Sequence, residues 1–264
     1  MMDLLAGGLV GDAAEMWLAI GAGLFGLGST GFAGRATRRG DRRRRSLSVL
    51  AALVSAGTAV SYLALLSGVG TTAVTGPGGS VTMQWARYAE WLVTMPLLVV
   101  GVGVAAGVDS EQVGNAAAVT VFMIATGLAA MLSGMAVYRV VWAGVAALAF
   151  LAVAAFLTGG LGTATQRDRD SGTTASTVTT LGGGLAVLLV AYPCWWAVAS
   201  GAGLVSPSVG IAGFVLLDLV TKLGVGVLLI RADTATGRTE STARVPQVAD
   251  DRGSTEPPAA DPTE

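Results

Sequence analysis

Apolar residues in this chain gather into long runs separated by short polar or glycine-rich breaks. Seven such runs stand near residues 13–34, 46–69, 83–107, 113–134, 137–160, 177–200 and 207–231. A hydrocarbon core of about 30 Å takes roughly 20 apolar residues in helical form, so each run is long enough to cross a bilayer. The breaks read "RATRRGDRRRR", "TGPGGS", "GVDSEQ", "LSGMA", "TQRDRDSG" and "SGAGLVSP", all rich in turn formers or charge. The pattern predicts an all-α membrane protein: a seven-transmembrane helix bundle over 13–231, a short external segment over 1–12 and a disordered polar tail over 232–264. The first ten residues are apolar but lack the basic n-region of a signal peptide.

Composition agrees, with 53% hydrophobic and 12% charged residues among 264. Charge then supplies an orientation. Seven of the fifteen arginines, Arg35, Arg38, Arg39 and Arg42 to Arg45, fall between the first two runs. Positive loops stay on the cytoplasmic side, which places the N-terminus outside and, after an odd number of crossings, the C-terminus in the cytoplasm. Arg167 and Arg169 fall on the same side. Between two membrane spans, "RRGDRRRR" is poorly placed to bind nucleic acid, and attraction to anionic lipid headgroups is the milder role open to it.

Other chemistries are excluded or weakened early. With no histidine, the usual zinc, haem and Ser-His-Asp sites are ruled out, and Cys194 alone can form no intrachain disulfide. No metal site and no enzyme activity are expected. "GAGLFG" (21–26) matches a dinucleotide-binding glycine pattern but follows no strand, so it reads as close helix packing.

Few ionisable residues remain deep in the runs: Arg87 and Glu90 in the third, Asp218 and Lys222 in the seventh. Glu15 and Arg139 lie near span ends, where snorkelling accounts for them. Lys222 is the only lysine in the chain, and an ammonium centred in a membrane helix costs about 2.5–3.5 kcal/mol on insertion scales. Asp218 stands four residues before it, one turn away on the same helical face. Both spans run inward, which brings all four groups into the outer half of the bundle. They could form two buried salt bridges that merely join helices. Alternatively, a desolvated lysine is a nucleophile that forms a Schiff base with an aldehyde, and the resulting cation needs a buried counterion such as Glu90 or Asp218.

Three motifs sharpen this choice: "WARYAEWLVTMPLL" (85–98), "AYPCWW" (191–196) and "LDLVTKLGVG" (217–226). With them, the chain resembles the microbial (type 1) rhodopsins over all seven spans. The resemblance implies all-trans-retinal bound through Lys222 as a protonated Schiff base, with the dark isomer left open. It implies Glu90 as primary counterion and proton acceptor, where the family usually has Asp. Asp218 becomes the second counterion, Arg87 their partner, and Thr94 a hydrogen-bond partner of the acceptor. Trp91, Met123, Gly127, Trp142, Phe150, Tyr192 and Trp196 are implied as pocket residues, with Tyr62 in support. Leu189 departs from the family, which usually carries Trp there, and so leaves room beside the polyene.

Several segments look closer to haloarchaeal sensory rhodopsin II: "LDLVTK", "GVDSEQVG" and "SPS" (206–208). That resemblance implies a Tyr192–Thr221 hydrogen bond that relays retinal isomerisation to a transmembrane transducer on helices six and seven. Against it, the position of a transducer-contacting Tyr is Leu216. A pump of this family carries a donor carboxylate in the cytoplasmic half of span three, and here that position is Gly101. The expected function is therefore a light-activated photoreceptor. A slow outward proton pump is the alternative, and a light-gated channel stands third. Expected partners are retinal and the bilayer, with a transducer and a homo-oligomer left open.

Overall fold

The structure is a computed structural model, and it describes residues 2–38, 42–76, 79–160, 172–201 and 204–231. The helices are α1 (Met2–Ala36), α2 (Arg42–Leu66), α3 (Trp85–Ala106), α4 (Ser110–Leu132), α5 (Ala136–Ala155), α6 (Gly172–Trp196) and α7 (Pro207–Asp218). Three π-helical segments continue them: Phe156–Gly160 after α5, Ala197–Gly201 after α6 and Leu219–Gly224 after α7, where the helix then resumes over 225–231. Among the described residues, seven helices are long and apolar enough to span a membrane. Helices suit that setting because every backbone polar group can be satisfied within the segment.

Each helix packs on its neighbours in sequence and α7 returns against α1, which closes a ring. The main core lies inside it, built from Val54 of α2, Leu98 and Val102 of α3, Ile124 of α4, Leu157 beyond α5, Leu185 and Tyr192 of α6 and Phe214 of α7. A second cluster joins α1, α2 and α7 through Phe25, Tyr62 and Val215.

Local chemistry sets the helix ends. Asp109 caps α4 by accepting the Glu111 N–H at 2.9 Å, and Ser206 accepts the Val209 N–H at the start of α7. Gly107 ends α3 with φ 67°, a left-handed conformation that glycine adopts without strain.

Several boundaries differ from the sequence pattern, with α1 beginning at Met2 instead of near 13 and α6 at Gly172 instead of near 177, and two further differences have a local physical reason. First, α2 starts at Arg42 instead of near residue 46, so four consecutive arginines occupy its opening turn. Arginine is a good helix former, and its long side chain reaches outward from the helix end. Arg43 uses that reach to donate to the Ala105 carbonyl near the end of α3. Second, the break after α2 contains an antiparallel hairpin, β1 (Thr72–Gly76) and β2 (Gly79–Met83), paired from Thr72↔Met83 to Gly76↔Gly79. The β-branched residues of "TAVTG" and "GSVTM" suit paired strands. Arg39, the segment 161–171 with Arg167 and Arg169, and the tail 232–264 lie outside the described residues.

Candidate functional site

The deep ionisable residues do converge. Lys222 Nζ lies 2.7 Å from Glu90 Oε1 and 2.6 Å from Asp218 Oδ1. Arg87 Nη1 stands 3.5 Å from Asp218 Oδ2. Lys222 is 0% exposed and Asp218 1%, so these charges have exchanged water for one another. Two cations face two anions, the balance a buried cluster needs, because an unpaired buried ion costs several kcal/mol (about 3–5).

Each carboxylate has its own set of hydroxyl donors. Tyr62 of α2 donates to Asp218 Oδ2 at 2.5 Å, and Tyr192 of α6 donates to Asp218 Oδ1 at 2.6 Å. Thr94, one turn along α3, donates to Glu90 Oε1 at 2.6 Å, and Thr58 of α2 reaches the same oxygen at 2.8 Å. The Arg87 Nε–H donates to Gln84 Oε1 at 3.2 Å, and its guanidinium carbon sits 4.4 Å from the centre of the Phe214 ring. Helices α2, α3, α6 and α7 thus all contribute to one polar cluster.

Thr58, Gln84 and Phe214 are absent from the sequence-derived set. One signal could have found Thr58: it precedes Tyr62 by four residues and so shares its helix face. Gln84 and Phe214 give no such signal, since a lone polar residue before a helix and a lone aromatic in a span are commonplace.

The winding around Lys222 is π-helical over Leu219–Gly224. Such segments occur mostly as short bulges, often at functional sites. Inside this one, Thr221 is 0% exposed and its Oγ1 meets no partner in hydrogen-bonding geometry, although it lies close to Tyr192. The Tyr192 proton goes to the Asp218 carboxylate, which leaves the Tyr192 oxygen as the acceptor that Thr221 could donate to. A charged acceptor binds that proton more strongly than a neutral hydroxyl does.

The expected pocket residues are placed unevenly. Trp91 makes edge contacts with Tyr192 at 5.3 Å and with Tyr88 at 5.5 Å between ring centres. Met123 and Phe150 pack on the margin of the main core, and Leu189 is buried in it. A Cβ at Gly127 would meet nothing within 4 Å. Trp196 lies in reach of the Tyr88 hydroxyl but is 38% exposed, at the outer edge of the aromatic wall. Trp142 is 39% exposed, and every residue from 134 to 144 is exposed. This end of α5 packs chiefly on α4 and leaves Trp142 partly open. Its neighbour in kind, Trp195, is the one drawn inward. The Trp195 indole N–H donates to the Gly210 carbonyl at 3.0 Å, and a Cβ at Gly213 would stand 2.1 Å from the ring.

These residues fit a retinal linked at Lys222. A buried amine lies between two carboxylates that can balance a cation, aromatic rings flank it, and the Trp91 Nε1 and Thr221 Oγ1 are buried polar atoms without partners beside it.

Comparison with known proteins gives a consistent answer. The family model for bacteriorhodopsin-like proteins matches residues 12–236. Cruxrhodopsin-3 of Haloarcula vallismortis is 37% identical over 230 residues, which cover 84% of this chain and 90% of that protein. Archaerhodopsin-2 of a Halobacterium species is 35% identical over 234 residues, covering 88% and 89%. Among solved structures, cyanorhodopsin from the cyanobacterium Calothrix superposes with a TM-score of 0.74 at 26% identity, over 83% of this chain and 94% of that one. Halorhodopsin, a light-driven chloride pump, gives 0.77 at 24% identity over 86% and 97%, a likeness of fold alone. The chain belongs to the bacteriorhodopsin-like family of microbial rhodopsins. It is a multi-pass membrane protein whose chromophore is retinal.

Proposed function

We propose that this member of the family is a light-activated photoreceptor in which retinal is bound through Lys222 and the proton on Nζ passes to Glu90 Oε1. The observation that carries this reading is the 2.7 Å separation of those two atoms, both buried. Lys222 would hold all-trans-retinal, which when bound would supply visible absorption and a light-driven double-bond isomerisation. The remaining work falls to the protein's own side chains.

Asp218 takes contacts from Tyr62, Tyr192, Arg87 and Lys222, and so is held as a permanent anion. Glu90, bound by two threonine hydroxyls and Lys222, is the carboxylate left to accept a proton. Tyr192 and Leu189 are buried in the main core and Trp91 packs against it, so this side of the site is apolar.

Support for the sensor role comes from the return path. Among the described residues, the buried acids are Glu90 and Asp218 alone, and Gly101 stands where a donor would be needed, with Leu229 packed against it. The proton therefore returns to Nζ without a carboxylate donor, and the activated state is long-lived. With the arginine-rich end cytoplasmic, the exposed apolar residues Val209, Leu216 and Val220 of α7 offer a membrane face to a transducer helix.

Slow outward pumping is the second reading. It is favoured by the chain of polar contacts from Asp218 through Arg87 to Gln84, which leads toward the hairpin end. Recording the pH of an illuminated cell suspension, with and without protonophore, separates the two. A sensor gives little net change; protonophore-sensitive acidification establishes the pump. Photocurrents that reverse with voltage would instead indicate a channel.

A further inference from the structure

The Thr58 hydroxyl has one hydrogen and two acceptors. Its Oγ1 lies 2.9 Å from the Val54 carbonyl, one turn back in α2, and 2.8 Å from Glu90 Oε1 across the helix interface. Thr58 is 1% exposed, so water does not settle the competition. A hydroxyl can give its proton to one acceptor at a time and can itself accept from another group. Which way it turns depends on the state of Glu90.

While Glu90 is a carboxylate, it is the stronger acceptor, because a hydrogen bond to an ionised group is roughly twice as strong as one between neutral groups. Once Glu90 is protonated, its own O–H becomes a donor. The Thr58 hydrogen can then turn to Val54, while Thr58 Oγ1 accepts from Glu90. No atom needs to move far for this exchange, since both acceptors already lie within hydrogen-bonding distance. Thr94 cannot serve in the same way for α2, because it stands on the same helix as Glu90.

We infer that Thr58 is a positioning residue for proton transfer: it holds Glu90 Oε1 toward Lys222 and reports the protonation of Glu90 to α2 by exchanging acceptors. The inference deepens the proposed function and rests on Glu90 being the proton acceptor. The other charged and titratable groups facing Glu90 are Lys222 and Asp218 of α7, Arg87 of α3 and Tyr192 of α6. None of them joins α2 to Glu90.

The test uses the full-length pigment with Thr58→Val, which keeps the shape and removes the hydroxyl, and Thr58→Ser, which restores the hydroxyl without the methyl. Two signals are read: the midpoint of the acid-induced colour change in darkness, and the infrared carbonyl stretch of protonated Glu90. In Thr58→Val the midpoint moves to higher pH by on the order of one unit, the size expected for losing one charge-assisted hydrogen bond. The carbonyl stretch moves to higher frequency as well. Thr58→Ser returns both signals to the wild-type values. Superimposable titrations and an unmoved carbonyl band in Thr58→Val overturn the role of Thr58. Glu90→Gln tells this failure from a deeper one: signals that persist in that variant overturn Glu90 as acceptor, and the inference with it.

Discussion

The two halves of the ring solve different problems. Around α2, α3 and α7, half or more of each span is buried: 50%, 56% and 50%. Around α4, α5 and α6 the shares fall to 28%, 17% and 28%, and α1, between α2 and α7, stands at 28% without a buried charge among its described residues. The first half holds every buried charge among the described residues, and each of those charges meets partners from more than one helix. The second half holds apolar and aromatic positions with far fewer fixed contacts. The difference follows from energetics. A charge in a low-dielectric interior survives only when several groups surround it, whereas an apolar side chain loses little by facing lipid.

That contrast can be broken in order of expected effect. Replacing Lys222 with Ala removes the attachment point, and protein mixed with retinal should stay colourless by visible absorption. Colour equal to wild type would end the covalent assignment. Asp218→Asn leaves Lys222 and Arg87 facing one carboxylate instead of two. Disturbing a buried pair in this way costs about 3–5 kcal/mol, to be read as a lowered melting temperature of the pigment. Tyr62→Phe removes one donor to that same carboxylate. The expected loss is about 1.5–3 kcal/mol, and thermal melting should show it without loss of colour.

The effects shrink away from the charges, first where α6 meets α7. Gly213→Ala forces a methyl against the Trp195 ring, which lies 2.1 Å from the built Cβ. Overpacking of this kind costs about 1–3 kcal/mol, and Trp195 fluorescence should shift with it. Trp142→Ala, at a partly exposed position, should change stability by no more than about 0.5 kcal/mol, and its absorption maximum reads whether the ring lies beside the chromophore. A large spectral shift in that variant would support Trp142 as a pocket residue, and an unmoved maximum would remove it from the pocket.

Much of the molecule was legible in one dimension. The seven apolar runs fixed the seven helices, since a bilayer demands length and apolarity, and both are properties of contiguous sequence. The four-residue spacing of Asp218 and Lys222 already placed them on one face. Their rarity in apolar runs marked Arg87 and Glu90 as well, because an ionisable residue in lipid is costly wherever the helices later pack.

What only the tertiary structure decided is who meets whom across helices. Thr58 on Glu90, Tyr62 on Asp218, Phe214 beneath Arg87 and Trp195 against Gly213 all depend on helix rotation and axial offset, which packing sets among many nearly equal possibilities. Trp142 shows the same limit: an aromatic in a membrane span reads alike in sequence whether it faces the bundle or the lipid. The hydroxyl proton of Tyr192 likewise goes to Asp218, because the folded site presents it with a carboxylate. Sequence spacing along one helix carries no information about that competition.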